Sequence, residues 1–267
     1  MTRTTTKTYS NSKAAEDSLA QVAIVGLQKS FGGLRAVKHV DLNIFSGEVL
    51  AIVGDNGAGK STLIKMLAGV ISPDEGEIFI RGERVVISDP NDAREFGIET
   101  LYQELGLIDS FTVPENIFLG RELRTTRFGI PMLDHRKMLQ CAQDLLDRLE
   151  VDLPSLNRPV RSYSVGQRQA IAISRLLFEE VNLIIMDEPM AALGIDESNK
   201  VLRLISNLRD KGEAIVVISH NLEHVFSVAD KVAVMKNGAL VDVVRTEDVG
   251  HDDLVAMIVS GNPHKPQ

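Results

Sequence analysis

The chain has 267 residues, enough for one large domain that buries about 70–75% of its unfolded surface without disulfide or metal staples. Its 44% hydrophobic and 25% charged residues are ordinary for a globular protein, and a net charge of -8 excludes a surface built to coat nucleic acid, though not local basic patches. A single cysteine, Cys141, excludes an intrachain disulfide framework and fits a reducing compartment, while no apolar run reaches the ~20 residues of a membrane-spanning helix.

Residues 1–20 are rich in Thr and Ser and lack the apolar segment of a secretory signal. Glu16-Asp17 breaks a transit-peptide pattern, so this segment reads as a disordered tail. From Gln21 onward, 22–27 and 37–45 read as strands, the second alternating through Val40, Leu42 and Ile44. An apolar strand at 49–53 leads into a Gly-rich turn and a helix over about 59–68. A turn at 72–76 precedes a hairpin of 77–80 and 84–87. A short helix at 90–96 carries Pro90 in its first turn, and 98–103 is a buried strand.

Over 104–180 helical periodicity takes over. In 134–150, Met138, Ala142, Leu145 and Leu149 form one stripe with Asp134 as N-cap, which makes Cys141 a core thiol rather than a reactive one. A second helix starts after Ser164-Val165-Gly166 and runs through Ala170, Ile173, Leu176 and Leu177. Alternation then returns: strand 181–186, helix 196–210, strand 214–219, short helix 221–228, strands 232–235 and 239–244 about Asn237-Gly238, and a last helix at 252–259. Strands alternating with helices imply an α/β fold with a mostly parallel sheet flanked by helices. The segment 104–180 is expected as an inserted helical subdomain within one domain over 21–260, with a C-terminal tail at 261–267.

Gly54-Asp55-Asn56-Gly57-Ala58-Gly59-Lys60-Ser61-Thr62 stands between the strand and the first helix, in the pattern G-x-x-x-x-G-K-S of a phosphate-binding loop. The glycines allow a tight turn that brings bare N–H groups to phosphate oxygens. Lys60 suits the β- and γ-phosphates, Ser61 a Mg²⁺ ion, and the helix points its positive end at the anion. The bland alternative is a Gly-rich turn with an exposed lysine. Asp187-Glu188 end an apolar strand, either as an acidic cap or as a carboxylate near Mg²⁺ and one that orients and deprotonates water. Ser164-Val165-Gly166-Gln167, taken alone, is a Ser-capped helix start.

In company these segments carry a resemblance. The chain is similar to the nucleotide-binding subunits of ATP-binding cassette (ABC) transporters, whose aromatic loop, phosphate loop, glutamine loop, signature helix, acidic strand and histidine loop all stand here in that order over roughly 21–245. The resemblance implies a P-loop NTPase-like sheet with an N-terminal antiparallel β subdomain, and ATP hydrolysis with Mg²⁺. It places Phe31 on adenine, residues 54–62 on the phosphates, and Gln103 on Mg²⁺ and the attacking water. Ser61 and Asp187 fall at the metal, Glu188 becomes the catalytic carboxylate and His220 the contact to the γ-phosphate. Phe31 is also readable as a core aromatic, Gln103 as a loop polar residue and His220 as a surface histidine. Ser164, Gly166 and Gln167 would meet the nucleotide of a second copy, so the resemblance implies a homodimer closed by ATP and opened by hydrolysis.

Two positions depart from the family pattern. Val165 replaces a glycine, and Gly194 stands where an Asp that contacts the opposite subunit is usual. The loop variant 54–60, Tyr102-Gln103-Glu104-Leu105, Pro114–Gly120 and Ala191-Ala192-Leu193-Gly194 are similar to monosaccharide importers of the ribose/xylose/fructose type. That resemblance implies an integral membrane permease, indirectly an extracytoplasmic sugar-binding protein, no nucleic-acid partner, and a peripheral position on the cytoplasmic face of the inner membrane. An importer of another small solute, a soluble cassette ATPase without a membrane partner, and a non-catalytic nucleotide-binding regulator are the alternatives.

Overall fold

The computed structural model describes residues 20–127, 130–178, 180–191 and 193–264. The expected N-terminal tail up to residue 19, Ala192 of the loop after Glu188, and residues 265–267 of the expected C-terminal tail lie outside the described residues.

Two strands open the described chain: β1 (Val22–Phe31) and β2 (Leu34–Ile44). They are followed by β3 (Val49–Val53), helix α1 (Lys60–Leu67), β4 (Glu75–Ile80) and β5 (Glu83–Val85). The strands β1, β2, β4 and β5 form an antiparallel sheet in the order β2-β1-β4-β5. Val40, Leu42 and Ile44 are buried as their alternation requires, and the pairing shifts register beside His39, which sits at φ 47. The first strand outruns the expected 22–27 because its polar end, Gln28–Phe31, pairs along β2 despite lacking an apolar face.

Next come α2 (Pro90–Glu95), capped by Asp89, and β6 (Ile98–Leu101). The strand ends at Leu101 rather than running to Gln103, so Gln103 lies in the loop beyond it. Then follow α3 (Val113–Ile117), a hairpin of β7 (Arg124–Arg127) and β8 (Ile130–Leu133), α4 (His135–Arg148) and α5 (Val165–Leu176). The hairpin interrupts a stretch expected to be helical. Its Thr125, Thr126, Ile130 and Pro131 favour extended backbone and carry no helical stripe. Asp134 caps α4 by accepting from Lys137 N at 3.0 Å, and Cys141 is half-buried against the core rather than fully inside it.

The remaining elements are β9 (Leu183–Asp187), α6 (Ile195–Asp210), β10 (Ile215–Ile218), α7 (Leu222–Val228), β11 (Lys231–Lys236), β12 (Ala239–Arg245) and α8 (His251–Ser260). The second sheet runs β12-β11-β3-β10-β9-β6, parallel except for the antiparallel edge strand β12. Strands buried on both faces read as unbroken apolar runs, as Val49–Val53 and Ile215–Ile218 do. Their alternation divides them between two cores. Val49, Ala51 and Val53 face a large cluster with α3 to α8, while Leu50 and Ile52 face a smaller one with α1 and the antiparallel sheet. The strands β9, β10 and β11 divide in the same way.

This topology matters for the site. The parallel strands β3, β6, β9 and β10 all end at one edge of the sheet, so the loops that leave them meet there. No helix among the described residues is long and apolar enough to cross a membrane.

Candidate nucleotide site

The loop 54–59 leaves the centre of the sheet, between β11 and β10. Its turns need glycine at two points. Gly54 sits at φ 147 with the Met235 carbonyl oxygen 2.1 Å from where a Cβ would be, and Gly59 at φ 102 with the Ala36 carbonyl oxygen at 2.4 Å. Helix α1 then starts at Lys60 with no side-chain cap, so its first-turn N–H groups are left to whatever enters the cleft. Lys60 Nζ donates to the Gly54 carbonyl at 2.6 Å and the Asp55 carbonyl at 2.9 Å, which curls the loop around its own ammonium. Burial pushes the Lys60 pKa down, opposed by the charges of Glu188, Asp55 and Asp187.

The end of β9 delivers Asp187 and Glu188 to the same place. Burial, then the neighbouring Glu188 charge, push the Asp187 pKa up, while Lys60 and Lys65 pull it down. Glu188 turns at φ 52, a left-handed conformation that costs a non-glycine residue energy. Two backbone hydrogen bonds hold it there, Glu188 N to Ile218 O and Ala191 N to Glu188 O, each at 3.0 Å. From the end of β10, His220 Nδ1 meets Glu188 Oε1 at 2.7 Å. The imidazole is 75% exposed and the carboxylate 19%, so the pair has one face in solvent.

A cleft of about 930 Å³ joins these groups. Lys60, Ser61, Thr62, Asp187, Glu188 and His220 line it, with Gln103 reaching in from the loop after β6. Asn56, Gly57, Ala58, Gly59 and Phe31 also line it. Phe31 is 49% exposed with Lys29 Nζ 5.7 Å from the ring centroid, so the core-aromatic reading fails. A flat exposed ring at this edge of the cleft is free to stack on a planar group. Ser61, Gln103 and Asp187 bring a hydroxyl, an amide and a carboxylate to one cleft, an oxygen-rich donor set that fits a hard cation such as Mg²⁺. The carboxylate that burial disfavours has most to gain from such a cation.

Ser164, Gly166 and Gln167 are not among the residues of this cleft. They stand at the start of α5, Ser164 exposed and Gly166 and Gln167 half-buried, where the Ser164 hydroxyl accepts from Gln167 N at 3.3 Å and Ser164 N donates to Gln167 Oε1 at 3.1 Å. Val165 is 55% exposed at the same turn. A Cβ on Gly166 would meet Glu197 Cγ at 2.8 Å, and one on Gly194 would meet Glu197 Oε2 at 2.7 Å. Glu197 therefore occupies the space beside both glycines that a side chain would take.

Sequence reasoning missed part of the cleft wall. Arg35, Ala36 and Lys38 of β2 and Asn237 of the β11–β12 turn also line it. Lys38 N donates to Gly238 O at 2.6 Å and Gly238 N to Ala58 O at 2.9 Å, which links β2 and the β11–β12 turn to the loop 54–59. Only the Asn237-Gly238 turn left a signal in the sequence. Asn116, within Pro114–Gly120, is fully buried; its Oδ1 accepts from Ile108 N at 2.7 Å and its Nδ2 donates to Ile108 O at 3.1 Å.

The ABC transporter family profile matches residues 37–191. The chain is 41% identical over 234 residues to the xylose/arabinose import ATP-binding protein of Sulfolobus acidocaldarius, covering 88% of this chain and 92% of that one. It is 43% identical over 237 residues to a ribose import ATP-binding protein of Rhizobium meliloti, covering 89% of this chain but only 45% of that longer one. A crystal structure of an ATP-binding cassette of an ABC transporter superposes with TM-score 0.78 at 25% identity, over 90% of this chain and 98% of the other. A dimeric cassette in a post-hydrolysis state bound to ADP and Pi superposes with TM-score 0.69 at 25% identity, over 84% and 98%.

Proposed function

This chain belongs to the ABC transporter family, and from that premise we propose that it is the ATP-hydrolysing subunit that powers import of a simple sugar through a membrane permease. One observation carries the reading: Lys60 at the start of α1, Gln103 after β6, Asp187 and Glu188 at the end of β9 and His220 after β10 line one cleft, while the Ser164 turn lies outside it. A cleft that lacks the signature turn calls for a second copy to bring one. The dimeric cassette among its structural neighbours supports a homodimer, and the names of its relatives support a sugar as cargo and a permease as partner. An extracytoplasmic sugar-binding protein and a peripheral place on the cytoplasmic membrane face follow from the same role.

The residues divide the work. Phe31 stacks on adenine, and the amides of 54–62 surround the phosphates. Lys60 exchanges two neutral carbonyl partners for phosphate oxygens. Ser61 and Gln103 would hold Mg²⁺, with Asp187 close by. When bound, the ion neutralises charge on the β- and γ-phosphates. Glu188 orients the attacking water and accepts its proton. His220, anchored on Glu188 Oε1, contacts the γ-phosphate from the open side. Ser164, Gly166 and Gln167 of a second copy close over that phosphate.

The test is direct binding of ATP by Lys60→Ala. Its affinity is expected to fall at least about tenfold, the scale of one lost charge-assisted contact in a partly buried site. Unchanged affinity in an equilibrium titration overturns the loop assignment.

A further inference from the structure

Two arginines on one face of α5 hold the loop that carries Gln103. Arg168 Nη2 pairs with Asp109 Oδ1 at 2.6 Å, and Arg175 Nη1 donates to the Gly106 carbonyl at 3.2 Å. Seven residues separate the arginines, a rise of about 10.5 Å along two helical turns. Their partners, Gly106 and Asp109, stand three residues apart in the loop just beyond Gln103. The stretch 106–109 is thus tied to the helix at two points. On its other side the carbonyl of Arg175 receives Arg121 Nη2, and Arg121 Nη1 pairs at 2.9 Å with the buried Glu99 of β6, the strand that leads into Gln103.

Packing alone does not ask for a cation at 175. Burial, then the like charges of Arg121 and Arg94, disfavour its charged form. An apolar side chain would sit there at lower cost. The same helix begins at Ser164, the end assigned above to the nucleotide of the second copy.

Resting on that assignment, we infer that Arg168 and Arg175 are positioning residues that strap the Gln103 loop to the signature helix. Helix and glutamine then move as one body. A phosphate bound at the Ser164 end by the second copy is felt at Gln103 in this copy's own cleft, and hydrolysis waits on both. Neither arginine lines the nucleotide cleft, so both act through Gln103.

The experiment is an epistasis test on the full chain, with steady-state kcat, an ATP titration and a thermal melt for each variant. The paired change Arg168→Ala with Arg175→Ala is expected to lower kcat about tenfold, the scale of a misplaced catalytic group, with ATP affinity held within about twofold. Adding the pair to Gln103→Ala is expected to cost nothing further, and Arg175→Lys to restore most of the rate lost in Arg175→Ala. Unchanged kcat in the arginine pair, or a loss that multiplies with that of Gln103→Ala, overturns the inference. Should the pair fail to melt cooperatively, Arg175→Lys and Asp109→Asn carry the same test against Gln103→Ala. Absence of hydrolysis in the unaltered chain would bring down the ATPase reading itself, a failure distinct from multiplying effects in an active one.

Discussion

Asp187 is where function and stability pull apart. Its pKa is raised in the folded chain, first by burial and then by Glu188. A carboxylate with a raised folded pKa binds more protons native than unfolded. Its cost is therefore absent below the unfolded value of about 3.9 and grows as pH rises through the folded value. Asp187→Asn removes that cost. Without nucleotide the variant is expected to melt higher at pH 7, on the order of a few °C, with the gap closing below about pH 4. Equal melting temperatures at pH 7 would sink the argument. The identity of such residues was legible in the sequence, because Asp187-Glu188 close an apolar run and Lys60 closes a glycine pattern. Their environment was not. Nothing in the sequence says that Glu188 takes φ 52, that His220 meets it at 2.7 Å, or that Glu197 fills the space beside Gly194, since each depends on the meeting of distant loops.

At the scale of elements, the phosphate loop separates two kinds of glycine. Gly54 has the Met235 carbonyl where a Cβ would go, whereas Gly57, at φ 81, has open space. Gly54→Ala is expected to cost on the order of 3 kcal/mol and to abolish ATP binding, and Gly57→Ala only about 1 kcal/mol, because it meets backbone strain without collision. Urea unfolding of the two variants checks this, and equal midpoints would contradict it. Strands with apolar runs and helices with caps and stripes were readable: β3, β10, α4 and α5 form within a residue or two of expectation. The hairpin β7–β8 and the short α3 were not. The hairpin residues 124–126 and 130–133 are exposed and so lack the burial pattern that periodicity detects, and α3 has a single turn whose Thr112–Glu115 capping box, not its period, defines it.

For the whole molecule, the consequence of a cleft without its signature turn is concentration. Glu188→Gln is expected to bind ATP, to hydrolyse it about 10²–10⁴-fold more slowly, and to accumulate as a dimer at concentrations where the unaltered chain is monomeric. Sedimentation with and without ATP checks it, and a full hydrolysis rate in that variant removes Glu188 from the mechanism. The α/β class and the parallel sheet were legible because strands alternate with helices, but the order β12-β11-β3-β10-β9-β6 arises from crossovers that no local pattern records. The parity of the central strands carries one more lesson. Neighbouring residues of β3, β9, β10 and β11 belong to opposite cores, so inserting or deleting one residue in any of them would turn the rest of that strand inside out. Changes in length can survive only in the turns, and the ends of β3, β9 and β10 at the cleft are held in mutual register by the interiors on either side of them.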